Sequence, residues 1–173
     1  IVPTAIVGDL DSLSPGFRER YADRIHLVED QEVNDLTKSI LFAHRSGYRD
    51  VLILGATGMR EDHTLGNISL LMEHAYLFRR IEMLSDYGLF TPLMKTATLM
   101  SRPGIQVSLF SLSPSGTLSA SGLRWPISDR MLTAWWQGTL NEATGDSFTV
   151  TLSPEARVLV YRTLSVPDKE TVR

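Results

Sequence analysis

The chain has 173 residues and a formal net charge of −3, with 43% hydrophobic and 21% charged residues. That length can bury a sizeable core in one large domain or two small ones, and the charge balance gives no general attraction to nucleic acid or an acidic membrane surface. The chain has no cysteine, which removes disulfides, thiolate metal ligands and a cysteine nucleophile, and no apolar run approaches the roughly 20 residues of a membrane span, so a cytoplasmic location is expected.

The chain opens without Met and almost directly on a strand, and a preceding segment with further site residues is expected. Thr4 to Val7 reads as the first strand. Ser14 and Pro15 are a helix cap and first helical position for "SPGFRERYA". Ile25 to Val28 is a second strand. A helix follows over "NDLTKSILFAHRSG", opened by Asn34 or Asp35 and stopped at Gly47. The apolar run Asp50 to Gly55 predicts a strand buried on both faces. A long helix then presents Leu65, Ile68, Met72 and Ala75 on one side, and Ile81 to Leu84 is a further strand. Strands alternating with helices predict a parallel sheet covered by helices.

Helical periodicity fades after about Leu93, and Ser and Thr become frequent. "IQVSLFSL", "GTLSASGL", "SFTVTL" and "RVLVYR" are short, strand-like and separated by turn signals. Phe148, Val150 and Leu152 share one face. The expected architecture is α/β: an N-terminal Rossmann-like, three-layer domain over residues 1–90 and a C-terminal antiparallel β-sandwich over 95–165. The boundary falls between Ser85 and Ala97, and "VPDKETVR" reads as a loose tail.

Three places carry chemistry. In "IVGDLDS", Asp9 and Asp11 lie two apart where a strand ends, roughly 7 Å apart at the α-carbons and on one side of extended chain. They fit a magnesium ion whose remaining positions go to water and phosphate oxygens, or a polar turn in which an Asp bonds to nearby amides. In "EDQEVNDLTKS", Asp35 and Lys38 share a helix face; the acid can hold a metal or its water, and the lysine can neutralise phosphate. The bland alternative is a surface ion pair. In "GATGMREDHTLGN", Gly55 and Gly58 permit close backbone approach, Arg60 can fork onto phosphate, and Asp62 can bind metal, cap the next helix, or both. That helix start offers amide donors to an anion, and His63 is a possible base or a structural hydrogen-bonder. The spacing fits neither the P-loop nor the dinucleotide fingerprint. In a parallel sheet all three strand ends lie on one edge, making a site for a metal-bound polyphosphate.

In this order and spacing, "GDLDS", "DQEVNDLTKS" and "GATGMREDHTLGN", followed by "GLRWPI" and "GTLNE", resemble the thiamine pyrophosphokinase family from Val7 to about Tyr161. The resemblance implies transfer of diphosphate from ATP to the hydroxyl of thiamine, giving thiamine diphosphate and AMP, in a homodimer with thiamine near the interface. It implies Asp9, Asp11 and Asp62 as magnesium and diphosphate acids, with Asp35, Lys38 and Arg60 completing the catalytic set; attack by a neutral alcohol also needs a base, which the residues themselves suggest is an aspartate, Asp35 or Asp62 first. ATP or its diphosphate would meet Asp9, Ser12, Gln31, Gly55, Thr57, Arg60, His63 and Asn67. Thiamine would meet Trp125, Thr139 and Asn141; if extended, adjacent Trp135 and Trp136 would face opposite ways, so at most one would line the pocket. The sequence departs from the family at Met59, where a second glycine is frequent, and at Leu140, where a serine is usual. A magnesium-dependent nucleotide pyrophosphohydrolase and a non-catalytic thiamine or nucleotide binder are the alternatives.

Overall fold

The structure, a computed structural model, describes residues 2–30, 32–113 and 115–166. Gln31 and the expected tail from Pro167 onward lie outside the described residues. The chain runs β1 (Ile6–Gly8), α1 (Pro15–Arg20), β2 (Ile25–Leu27), α2 (Asp35–Arg45), β3 (Asp50–Leu54), α3 (Glu61–Glu73), β4 (Arg80–Leu84), β5 (Gly88–Leu93), β6 (Ala97–Met100), β7 (Gln106–Ser111), β8 (Leu118–Ser121), β9 (Ile127–Arg130), β10 (Asn141–Glu142), β11 (Ser147–Leu152) and β12 (Val158–Thr163). Local chemistry sets several boundaries. Pro15 opens α1, and the Asn34 side chain accepts from the Thr37 N–H at 2.9 Å to cap α2. Gly47 takes φ +84° just beyond α2, a left-handed conformation suited to glycine.

β1 and β2 pair in parallel as a two-stranded sheet. A six-stranded sheet has the order β10-β7-β12-β5-β4-β3, and a four-stranded sheet the order β6-β11-β8-β9. β3 and β4 are parallel, whereas β4–β5, β5–β12 and β12–β7 are antiparallel. The large sheet is therefore mixed, and it runs without a break from the helical half into the β half. A mixed sheet thus stands where a parallel one was expected, and β5, absent from the strands read off the sequence, carries it into the β half.

The large sheet feeds two cores, one from each face. Alternate residues of β12 divide between them, because successive strand side chains point to opposite faces. Val158 and Val160 pack with Val107, Leu109, Phe148 and Val150 between the two large sheets. Leu159 packs with Met83, Ile40, Leu71 and Met72 under α2 and α3. Phe148 and Val150 are buried, and Leu152 packs against the same core, as their alternation predicts.

Two burial expectations fail. β3 is not buried on both faces: Leu52 and Leu54 are exposed and only Ile53 is buried. It is an edge strand in the described structure, with no described residue pairing along its outer side. On α3, Leu65 is exposed, while Leu71 and Met72 carry the buried face. The short helix turn from Ala75 to Leu77 continues that core through Ala75.

Candidate active site

Gly8 ends β1 beside the first turn of α2. A Cβ at Gly8 would stand 3.1 Å from Asp35 Oδ1, so the missing side chain is what lets the Asp35 carboxylate lie over the strand end. Lys38, one helical turn further on, is buried, and its Nζ lies 3.2 Å from Asp35 Oδ1 and 3.7 Å from Asp9 Oδ2. The structure thus joins the first two acidic stretches through one ammonium. Sequence spacing predicts the Asp35–Lys38 pair; it carries no signal for the bridge to Asp9, which depends on β1 packing against α2.

After β1 the chain turns sharply. The Asp11 N–H donates to Asp9 Oδ1 at 3.2 Å, Leu10 adopts φ +70°, and the Leu13 N–H closes onto the Leu10 carbonyl. This is the polar turn that the sequence offers as one reading. It leaves Asp11 and Ser12 exposed and Asp9 half-buried.

The third stretch forms a unit of its own. Arg60 grips Asp62 with two donors, Nε at 3.1 Å and a terminal nitrogen. The His63 backbone N–H donates to the same carboxylate at 2.8 Å. The Arg60 guanidinium first, and the His63 amide second, hold the Asp62 carboxyl below the usual carboxylate range. Asn67 Nδ2 donates to the Ala56 carbonyl at 2.8 Å, and Thr64 Oγ1 to the Arg60 carbonyl at 3.1 Å, so α3 holds the loop that precedes it. Gly55 and His63 are exposed, and Thr57 is half-buried in that loop. Met59 is fully exposed at φ +63°, where a glycine would be unstrained.

The described residues contain no group of three acids or histidines close enough to hold one metal ion. Asp9 and Asp11 are the two acids of one turn, the carboxylate number that magnesium takes when substrate oxygens complete its shell. Asp62 is engaged by the Arg60 guanidinium and the His63 amide.

In the β half, Asn141 is buried and hydrogen-bonded through both its amide oxygen and its amide nitrogen. Its Oδ1 accepts from the Trp125 N–H at 3.1 Å and the Glu142 N–H at 2.9 Å, and its Nδ2 donates to the Trp125 carbonyl at 2.6 Å. Asn141 therefore fixes the backbone of Trp125, whose ring lies exposed beneath the Arg124 guanidinium at 5.1 Å. The Thr139 hydroxyl donates to the Trp136 carbonyl. Trp135 and Trp136 are not extended: they open a short 3-10 turn, Trp135–Gly138, and both are exposed, with Trp135 edge-on to Phe110. Leu140 is exposed at φ +60°, and its N–H donates to Ser108 Oγ at 3.3 Å. The roles of Ser108, Arg124 and the Ala56 carbonyl have no local motif to announce them.

Residues 1–84 match the thiamin pyrophosphokinase catalytic domain, and residues 88–161 the thiamin pyrophosphokinase substrate-binding domain. Thiamine pyrophosphokinase 2 of Oryza sativa subsp. japonica is 35% identical over 146 residues, covering 74% of this chain and 53% of the relative. Thiamine pyrophosphokinase 1 of Arabidopsis thaliana is 33% identical, covering 73% and 53%. The chain spans about half the length of these curated relatives. The crystal structure of thiamine pyrophosphokinase from Bacillus subtilis has a TM-score of 0.79 at 21% identity, over 95% of this chain and 80% of that one. With both domains matched in order along one chain, and with that fold, the protein belongs to the thiamin pyrophosphokinase family.

Proposed function

We propose that the protein of which these residues form part transfers diphosphate from ATP to thiamine. The observation that carries this reading is the succession of a catalytic-domain match and a substrate-binding-domain match along one continuous chain. A nucleotide pyrophosphohydrolase would have no use for the second. Residues 1–90 would bind ATP and residues 95–165 thiamine, in the cytoplasm, as a homodimer with thiamine near the interface. Exposed Trp125, Trp135 and Trp136 support an aromatic site of that kind, because a thiazolium cation favours aromatic faces.

In the reaction, the thiamine hydroxyl oxygen bonds to the β-phosphorus. The bond from that phosphorus to the oxygen bridging the α-phosphate breaks, AMP leaves, and the hydroxyl proton goes to a base. Asp9 and Asp11 would hold a magnesium ion, which when bound neutralises phosphate charge. Arg60 would move donors from Asp62 to phosphate oxygens, in keeping with its forked geometry. Lys38 sets the positions of Asp9 and Asp35 from below, rather than reaching the phosphate itself. The base would be Asp35, held by the Lys38 ammonium, or Asp62, released as Arg60 turns to phosphate. Ser12, Gly55, Thr57, His63 and Asn67 would line or support the ATP site, and Thr139 and Asn141 the thiamine site, Asn141 by holding Trp125.

The test is AMP release from Mg-ATP by the full-length protein, with and without thiamine, beside Asp11→Asn. Thiamine-dependent AMP in step with thiamine diphosphate, reduced by about a hundredfold or more in the variant, is expected. AMP release indifferent to thiamine would overturn the transfer.

A further inference from the structure

A cavity of about 1070 Å³ lies away from Asp9, Asp11, Asp35 and Asp62. It is lined by the starts of β3 and β4, Asp50 and Arg80, and by residues of β5, β6 and β12. The candidate active site follows the opposite ends of β1 and β3, so roughly 13 Å of strand separates Asp50 from Leu54 alone.

Four cationic side chains line the cleft, Arg79, Arg80, Lys95 and Arg162, against two carboxylates, Asp50 and Glu82. Arg79 is taken up by Asp50. Glu82, only 6% exposed at its side chain, is shared by two guanidiniums: Arg80 Nε donates to Oε2 at 2.7 Å with a terminal nitrogen 2.6 Å from the same oxygen, and Arg162 lies 3.7 Å from Oε1. Thr91 Oγ1 also donates to Oε1 at 2.7 Å. Arg162 is itself 15% exposed at its side chain, and its Nε is buried with no partner among the described residues. Burial lowers the Arg162 pKa from the ordinary arginine value, Glu82 opposes that shift, and Arg80 adds to it. Lys95 is exposed and makes no ion pair among the described residues.

A half-enclosed cleft with one carboxylate between two guanidiniums and an unpaired ammonium at its wall carries surplus positive charge. In such surroundings charge is screened less than on open surface, and arginine's flat donor edge matches phosphate oxygens. We propose that this cleft binds a phosphate-bearing anion between Arg80, Lys95 and Arg162, at a site distinct from the one that handles ATP. Arg80, 65% exposed at its side chain and engaged on one edge by Glu82, supplies the accessible donors; Lys95 supplies the mobile charge; Arg162 supplies field from beneath.

The test is calorimetric titration of inorganic phosphate, and separately of AMP, into full-length protein carrying Arg60→Gln, which weakens the ATP site. Ionic strength is held constant. Binding that persists with Arg60→Gln and falls by about tenfold or more on adding Lys95→Gln is the expected result. Tighter binding of phosphate than of AMP assigns the cleft to the free ion, and the reverse to a nucleotide's phosphate. Arg80→Gln should act in the same direction, but Lys95→Gln is the deciding variant because it leaves the buried Glu82 paired. No binding up to about 10 mM with Arg60→Gln alone, or binding unmoved by Lys95→Gln, would overturn the site.

Discussion

Met59 and Leu140 occupy left-handed backbone without being glycine, at φ +63° and +60°. An L side chain there costs roughly 1–2 kcal/mol, and both side chains are exposed, so little packing offsets the cost. Met59→Gly and Leu140→Gly are each expected to raise stability by about 1 kcal/mol in the full-length protein, read as a higher Tm; an unchanged or lower Tm would contradict the strain. At the first of them the resemblance leads one to expect a glycine, and the left-handed backbone is a conformation in which glycine is unstrained. Asp62 makes a second residue-scale prediction. Its folded pKa is depressed, so its stabilising pair with Arg60 is complete above the unfolded carboxylate value of about 3.9 and is lost as pH falls through the lower folded value. Asp62→Asn should flatten the acid side of a stability-against-pH curve below about pH 4 and leave its shape between about pH 6 and 8 unchanged. A change in that neutral window would show that Asp62 titrates where the geometry says it does not.

At the scale of elements, what matters is how each loop is tied to the helix that follows it. Asn34 caps α2 and so sets the first turn that carries Asp35 and Lys38. Asn67 reaches back from the second turn of α3 to the Ala56 carbonyl and so ties down the loop that leads to Arg60. Asn67→Ala removes the donor and is expected to cost about 1 kcal/mol. Released from that tether, the loop should bind ATP more weakly, raising KM for ATP, whereas KM for thiamine should stay as it was. Equal changes in both would point to general unfolding instead. The helix starts and the Asp35–Lys38 pair are legible in the sequence, since caps and three-residue spacings are local. The tether from Asn67 is not, because an eleven-residue separation has no period to mark it.

For the whole molecule, the decisive element is the six-stranded sheet. β12 sends Val158 and Val160 into the core between the sheets and Leu159 into the core beneath the helices. A strand shared in this way couples the two halves, so they are expected to unfold together. The three tryptophans all lie in the β half, and α1, α2 and α3 all lie in the first half. Tryptophan fluorescence and helical circular dichroism should therefore give coincident transitions, and Leu159→Ala should shift both by about 2–5 kcal/mol. A helical signal lost well before the fluorescence change would mean that the sheet does not transmit stability across β5.

The sequence by itself determined the strand–helix alternation, the buried face of β11, the Pro15 start of α1 and the Asn34 cap of α2, and the order of acidic motifs by which the family is recognised. Each is written in residues close along the chain, where period, capping chemistry and spacing act. Only the tertiary structure decided that the Leu52 and Leu54 side chains of β3 are exposed, that β5 carries one sheet through both halves, and that Lys38 is buried against Asp9 as well as Asp35. Those outcomes depend on which element becomes the neighbour of which, and an apolar run has the same pattern whether its partner strand lies on both sides or on one.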